Sequence, residues 1–524
     1  MGDQPPHHNE NKNINMGFMK KVTKNKFSFG VGVKNFLFEN TSVKQTIMKN
    51  TFWLSVSNFG GRFIKAAIVI YAARVLGTAG WGVFSYAVTL AGFLTLFIDP
   101  GINSILIRDV AKSSREDQEK ILSTTFVMKL CLLVVGVFLV LFVAPFFSTL
   151  PGAKELLPLV ALIIVFDTLR EFFSSFIRAK EKMEWEAGIF LLTNIAIVTF
   201  GFIFLYLNPN VVSFAWGYVA GTAVGAITAT FVLWRYLKKI FSFFSARLIK
   251  PIITSAWPFA ITGALGILLT NTDILIISWM LTASDVGIYS AAIRIIQVLY
   301  IIPWILQLSM FPLFSRLANH DNQKFRIGLE RSIGFVFLAS VPLALGGAIL
   351  GTQIMELVFG SAYAGGGLAF KILLLGLLVD YPMVIISAAV FAYSRQKGLI
   401  IAALIGGISN VILDLLFIPR FGIAGSAVAT LIAQILSNWY IWRMMKKINY
   451  FSVVPKLKII ILAGVVMASV TALLFALHIN VVLNIALSAA VYFAILLAFR
   501  EPLFMEIKKV LRPDDKNIPE PANI

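Results

Sequence analysis

The chain has 524 residues, of which 58% are hydrophobic and 14% charged, with a mean hydropathy of +0.84. That balance excludes a soluble globular domain and indicates a polytopic membrane protein. A formal net charge of +19 would suggest nucleic acid in a soluble chain, but here the basic residues fall between hydrophobic stretches, where they set orientation, so nucleic acid is excluded as a partner.

Residues 1–49 form a basic tail without the short apolar core of a signal peptide. The tail is expected to be disordered to about Lys26, and Phe27 to Phe38 suit the membrane surface. From about Asn50 to Arg500 some fourteen apolar stretches follow, each long enough to cross a bilayer, so the predicted fold is an all-α integral membrane protein. The one cysteine, Cys131, lies inside an apolar run, which excludes an internal disulfide and a cysteine metal cluster. Lys and Arg crowd every second connection: Arg108 and Lys112, then Arg178 and Lys180, then Arg235 and Lys238, and so on to Lys508 and Arg512. The alternate connections, near Pro151, Pro209, Thr282, Gly366, Pro419 and Asn480, hold almost none. The alternation places both termini in the cytoplasm and requires an even number of spans.

The chain also repeats itself. Gly82-Val-Phe-Ser-Tyr-Ala87, heading the second span, is echoed by Gly287-Ile-Tyr-Ser-Ala-Ala292, heading the eighth, 205 positions later. Leu233-Trp-Arg-Tyr-Leu-Lys-Lys239, leaving the sixth, is echoed by Ile441-Trp-Arg-Met-Met-Lys-Lys447, leaving the twelfth, 208 positions later. Six spans per repeat give parallel halves about an axis along the membrane normal, with a cavity between them. The predicted organisation is a tail (1–49), a six-helix lobe (50–240), a second six-helix lobe (251–447), two further helices (455–500) and a cytoplasmic tail (501–524).

Polar residues within spans are costly and are candidates for function. Asp167, Arg170 and Glu171 share a face of the fourth span and suit an internal ion cluster. Asp380 precedes Pro382 and suits a kinked helix, with no partner legible. Arg74 and Lys371 lie near outer ends, where long side chains snorkel. Arg62 and Lys65, on one face of the first span, have no acid in their own helix, and Arg294 enters the eighth to a similar depth, roughly 15 Å. Three cations near the midplane require an anion from elsewhere, either a carboxylate on another helix or a phosphate-bearing substrate. On the eleventh and twelfth spans, Asn410 and Asp414 are level with Thr430 and Ser426 across a hairpin turn, and Asp273 on the seventh lies at the same depth. Their oxygens suit a hard cation such as sodium. The alternative is an interhelical hydrogen-bond network in which one Asp is protonated.

Arg74-Val-Leu-Gly77, Gly82-Val-Phe-Ser-Tyr86, Asp99-Pro-Gly101, Asp273-Ile-Leu, Gly287-Ile-Tyr-Ser and the run from Asn410 to Thr430 together resemble the multidrug/oligosaccharidyl-lipid/polysaccharide exporter superfamily, on its polysaccharide flippase branch. The resemblance spans about residues 45 to 500. It implies export of a polyprenyl-linked oligosaccharide across the cytoplasmic membrane by alternating access of two six-helix lobes, in a monomer surrounded by membrane lipids. The related lipid II flippases carry a sodium site that Asp273, Asn410, Asp414 and Thr430 match, with Ser426 where that branch uses a main-chain carbonyl; sodium is thus the implied coupling ion, with no organic cofactor. They also carry substrate arginines in spans one, two and eight, for which Arg62 with Lys65, Arg108 and Arg294 are the counterparts here. A cation-coupled drug antiporter of the same superfamily would share the cation patch, but its cationic substrates would be repelled by Arg62, Lys65 and Arg294. An enzyme would need acids or histidines in large outer loops, which are short here.

Overall fold

The structure, a computed structural model, describes residues 37–511 apart from Glu39, Thr41, Ser42, Thr149 and Lys239. The expectations for residues 1–36 lie outside the described residues. All regular structure within them is helical. In chain order the first half comprises α1 (Val43–Ile98), α2 (Ile102–Val110), α3 (Arg115–Phe138), α4 (Ala153–Ala179), α5 (Met183–Leu207) and α6 (Val211–Val232). The second comprises α7 (Ile249–Met280), α8 (Ala283–Leu299), α9 (Ile301–Leu317), α10 (Asn322–Phe359), α11 (Gly367–Ala392) and α12 (Gln396–Ile448), followed by α13 (Val454–Ala476), α14 (Val481–Ala498) and α15 (Pro502–Leu511).

Among the described residues, eleven helices are long and apolar enough to cross a bilayer, so this is a multi-pass membrane protein. Helices suit that solvent because they satisfy their own backbone groups where water is absent. Two of the eleven contain a residue with non-helical backbone angles. The 56-residue α1 breaks at Gly77 (φ 68°) and the 53-residue α12 at Gly422 (φ 57°). Both glycines lie in the left-handed region, which costs another residue about 1–2 kcal/mol. The break at Gly422 falls where Pro419-Arg-Phe-Gly422 was read as a turn. Caps fix other starts: Ser114 accepts from the Asp117 amide, and Thr282 with Asp285 forms a capping box at α8.

Within the first half α1 packs on α4 and α5, and α6 on α4 and α5; within the second, α11 packs on α10 and α12, and α12 on α7. Helix α13 packs on α10 and α14. The halves meet chiefly where α8 lies against α1, and there the two repeated segments face each other. A Cβ at Gly82 would collide with the Ala283 carbonyl oxygen, and one at Gly287 with the Thr78 carbonyl oxygen. The Ser290 hydroxyl donates to Ser85 Oγ at 3.2 Å, and Thr78 Oγ1 to Ser284 Oγ at 3.2 Å. Beside this contact Arg74 reaches the last carbonyls of α10, with Nε 2.8 Å from the Val358 oxygen and Nη2 on that of Leu357. The Tyr363 hydroxyl donates to the Ala73 carbonyl at 2.8 Å. Arg74 was expected to snorkel; it instead caps a helix of the other half, because the C-terminal carbonyls of α10 supply unpaired acceptors within its reach.

At the opposite end, near the basic connections, a buried ion pair and a half-buried one tie helices together. Lys49 of α1 meets Glu184 of α5 at 2.9 Å, and Lys456 of α13 meets Glu330 of α10 at 2.7 Å.

Candidate functional site: a cationic cluster and an oxygen-rich patch

Three basic side chains come from the two halves, two of them over aromatic rings. The Arg62 guanidinium of α1 lies 4.4 Å from the centre of the Trp304 ring of α9, and the Lys65 ammonium 4.8 Å from that of Tyr218 in α6. Tyr218 is also the electrostatic neighbour of Arg294, whose Nη1 donates to Gln297 Oε1 at 2.9 Å. Among the described residues no carboxylate forms an ion pair with any of the three. The carboxylate alternative therefore has no geometric support. Aromatic faces hold Arg62 and Lys65, at about 0.5–2 kcal/mol each. That is less than the several kcal/mol that withdrawing an ion from water costs, so the cluster retains an appetite for an anion.

Arg108 does not join them. The Asp99-Pro-Gly101 break, with Gly101 at φ 89°, ends α1 and starts α2 on a new line. Arg108, 41% exposed, then pairs with the neighbouring Asp109 at 2.6 Å. The fourth-span triad forms the expected ion cluster: the buried Arg170 lies 2.8 Å from Asp167 and 3.4 Å from Glu171, which also meets Arg178. Asp380 receives the Tyr300 hydroxyl on one oxygen and the Asn438 amide, at 2.8 Å, on the other. Both donors come from other helices, which is why sequence alone showed no partner.

The oxygen-rich residues do converge. Asp273 Oδ2 accepts from the Thr430 hydroxyl at 2.9 Å, and Thr430 Oγ1 lies 3.3 Å from the Asn410 amide and 3.0 Å from the main-chain carbonyl of Ser426. Asp414 is fully buried, with Asp273 and the Ser426 hydroxyl as near neighbours. Neither of its carboxylate oxygens, nor Ser426 Oγ, has a hydrogen-bond partner. Two carboxylates, one of them without a hydrogen-bond partner, thus lie beside an amide, hydroxyls and a carbonyl. Among the described residues no group of three or more His, Cys, Asp or Glu could hold a metal.

Sequence reading missed one member. The Tyr289 hydroxyl donates to Asp273 Oδ2 at 2.6 Å. Its signal was present in the repeat: Tyr289 occupies the place of Phe84, so the hydroxyl appears only in the half that bears the acids. Tyr218 and Trp304 carried no such signal, because aromatic residues are common throughout these spans.

A putative O-antigen transporter of Shigella flexneri is 24% identical over 76% of this chain and 98% of its own length. A probable low-salt glycan biosynthesis flippase of Haloferax volcanii is 23% identical over 73% of this chain and 80% of its own. A lipid II flippase in an inward closed conformation superposes with a TM-score of 0.69 at 20% identity, over 87% of this chain and 99% of that one, which shows a shared fold. Residues 47–318, half of the chain, match the family described as polysaccharide biosynthesis protein. With the glycine-centred contact of its two halves and the unpaired cations between them, the chain belongs to that family.

Proposed function

We propose that this protein is a flippase that moves a polyprenyl-(pyro)phosphate-linked oligosaccharide across the cytoplasmic membrane by alternating access. The observation that carries the reading is the group of Arg62, Lys65 and Arg294, drawn from both halves, the first two held by aromatic faces and the third by Gln297, none of them paired with a carboxylate. A diphosphate supplies the anion the cluster lacks, through charge-assisted bonds worth about 1.5–3 kcal/mol each. The transporter and flippase relatives support this substrate class. Arg108, spent on Asp109, has no part in it.

The proposed topology has fourteen spans with both termini in the cytoplasm. Dividing α1 at Gly77 and α12 at Gly422, and adding the 27-residue α4, turns eleven candidate helices into fourteen. The packing of α1–α6 and α7–α12 each among themselves supports two six-helix lobes, with α13 and α14 as an appendage. In this orientation the contact around Gly82 and Gly287 closes the outer end.

The patch of Asp273, Asn410, Asp414, Ser426 and Thr430 is proposed as the coupling site, with sodium as its cation. The donor-free Asp414 carboxylate supports that reading over a finished hydrogen-bond network. A drug antiporter fits less well, since lipophilic cations would meet like charge in the cavity.

The test is export of lipid-linked glycan in cells whose only copy is Arg294→Ala. Surface glycan should be lost while the protein remains at its usual abundance, and Arg62→Ala and Lys65→Ala should be nearly as severe. Wild-type surface glycan in the Arg294→Ala cells would overturn the assignment.

A further inference from the structure

Outside the translocation site, a cavity of about 630 Å3 opens at the end of the second half that carries the basic connections. It lies between the α9–α10 turn, with Asn319 and Asn322, the α11–α12 turn, with Tyr393 and Arg395, and Lys447 near the end of α12. Lys447 is seventeen residues beyond Thr430, about 25 Å along the helix, so the cavity is separate from the oxygen-rich patch.

Its wall is built to present donors. The buried Asn449 amide donates to the Asn322 carbonyl at 3.0 Å and to Tyr393 Oη at 3.0 Å. Tyr393 in turn donates its hydroxyl proton to Asn322 Oδ1 at 3.1 Å. This relay occupies the one acceptor on the Asn322 side chain and leaves its NH2 group as the exposed function. Arg395 and Lys447 belong to none of the ion pairs among the described residues. The nearest acid, Asp321, is already engaged, accepting from the Lys324 amide at 2.9 Å and lying 3.9 Å from the Lys324 ammonium. Helix α12 begins at Gln396, so its free amides add to the positive field at the mouth. The other basic residues of this stretch are spent on rings: Arg443 lies 4.0 Å from Trp439, and Lys446 5.5 Å from Tyr450.

We propose that this cavity is a second anion site, which takes a phosphate group through Asn322, Arg395 and Lys447. Two sources share that chemistry at a membrane surface, an anionic phospholipid headgroup and a water-soluble phosphate compound. The site does not depend on the flippase reading, because no residue of the translocation cluster enters it.

The test uses the full-length protein purified in detergent and its melting temperature in two arms. Both arms use an Arg62→Gln/Lys65→Gln/Arg294→Gln background, which removes the translocation cluster; one arm adds phosphatidylglycerol against an equal amount of phosphatidylcholine, and the other adds sodium pyrophosphate against sodium chloride at equal ionic strength. A rise in the first arm alone identifies a lipid headgroup, and a rise in the second alone a soluble phosphate. The key variant is Asn322→Asp. Its carboxylate still accepts from Tyr393 and suits the first turn of α10, so the fold is kept while the donor becomes a repelling charge. The increment should vanish in Asn322→Asp and in Arg395→Gln/Lys447→Gln, and persist in Arg443→Gln/Lys446→Gln. No increment in either arm for the background protein, or an equal increment in Asn322→Asp, overturns the proposal.

Discussion

The two carboxylates of the oxygen-rich patch should respond in opposite directions to the same substitution. Asp414 is fully buried and neither of its oxygens meets a donor. Asp414→Asn replaces this carboxyl group with an amide that can donate to the neighbouring Asp273 carboxylate, a charge-assisted bond worth about 1.5–3 kcal/mol. In choline chloride the variant should therefore melt above the wild type. Asp273 accepts from Tyr289 at 2.6 Å and Thr430 at 2.9 Å. Turning those charge-assisted bonds into neutral ones forfeits roughly 1 kcal/mol apiece, and Asp273→Asn should melt below the wild type. Sodium then discriminates further. At about one hundred times its dissociation constant a bound ion stabilises the wild type by ~2.7 kcal/mol, an increment that each single variant should reduce and the double variant lose. The assay is thermal unfolding of the detergent-purified protein in matched sodium and choline salts. An Asp414→Asn protein that melts below the wild type in choline, or a double variant with the full sodium increment, would refute the reasoning.

Two further outcomes follow from the geometry. Arg108→Gln should leave glycan export within about twofold of wild type, whereas Arg294→Gln, losing a charge-assisted contact, should lower it roughly tenfold or more; equal losses in the export assay would return Arg108 to the binding site. Gly287→Val should abolish export, because its side chain would collide with the Thr78 carbonyl and hold the outer end open. In a Cys131→Ala background, Ser290→Cys should then react with a membrane-impermeant thiol reagent faster with Gly287→Val than without it, and unchanged reactivity would show that the contact is not the seal.

The spans, the repeat and the convergence of Asp273, Asn410, Asp414, Ser426 and Thr430 were legible because each is written in local spacing. Helix pitch places Asn410 over Asp414, and the glycine after Pro419 marks where the hairpin turns. The signals that failed were those that depend on what another helix presents. Arg74 looks like any cation near a helix end until the carbonyls of Leu357 and Val358 arrive from the other half of the chain. Arg62 announces a missing anion but says nothing of Trp304, 242 positions away. Arg108 was placed by its span number, and a three-residue break at Asp99-Pro-Gly101 was enough to send it elsewhere.

The contact around the paired glycines is reciprocal: Gly82 abuts Ala283 while Gly287 abuts Thr78, and Ser85 meets its own counterpart, Ser290. Gly82 and Gly287, Thr78 and Ala283, and Ser85 and Ser290 are each 205 positions apart, so a single ancestral six-helix unit would present both sides of this joint on one surface. That is the form of an isologous two-fold interface. Fusion of two such units would have made a homodimer's self-complementary face into the internal hinge of one chain, and freed one copy to acquire Tyr289 and its acids while the other kept Phe84.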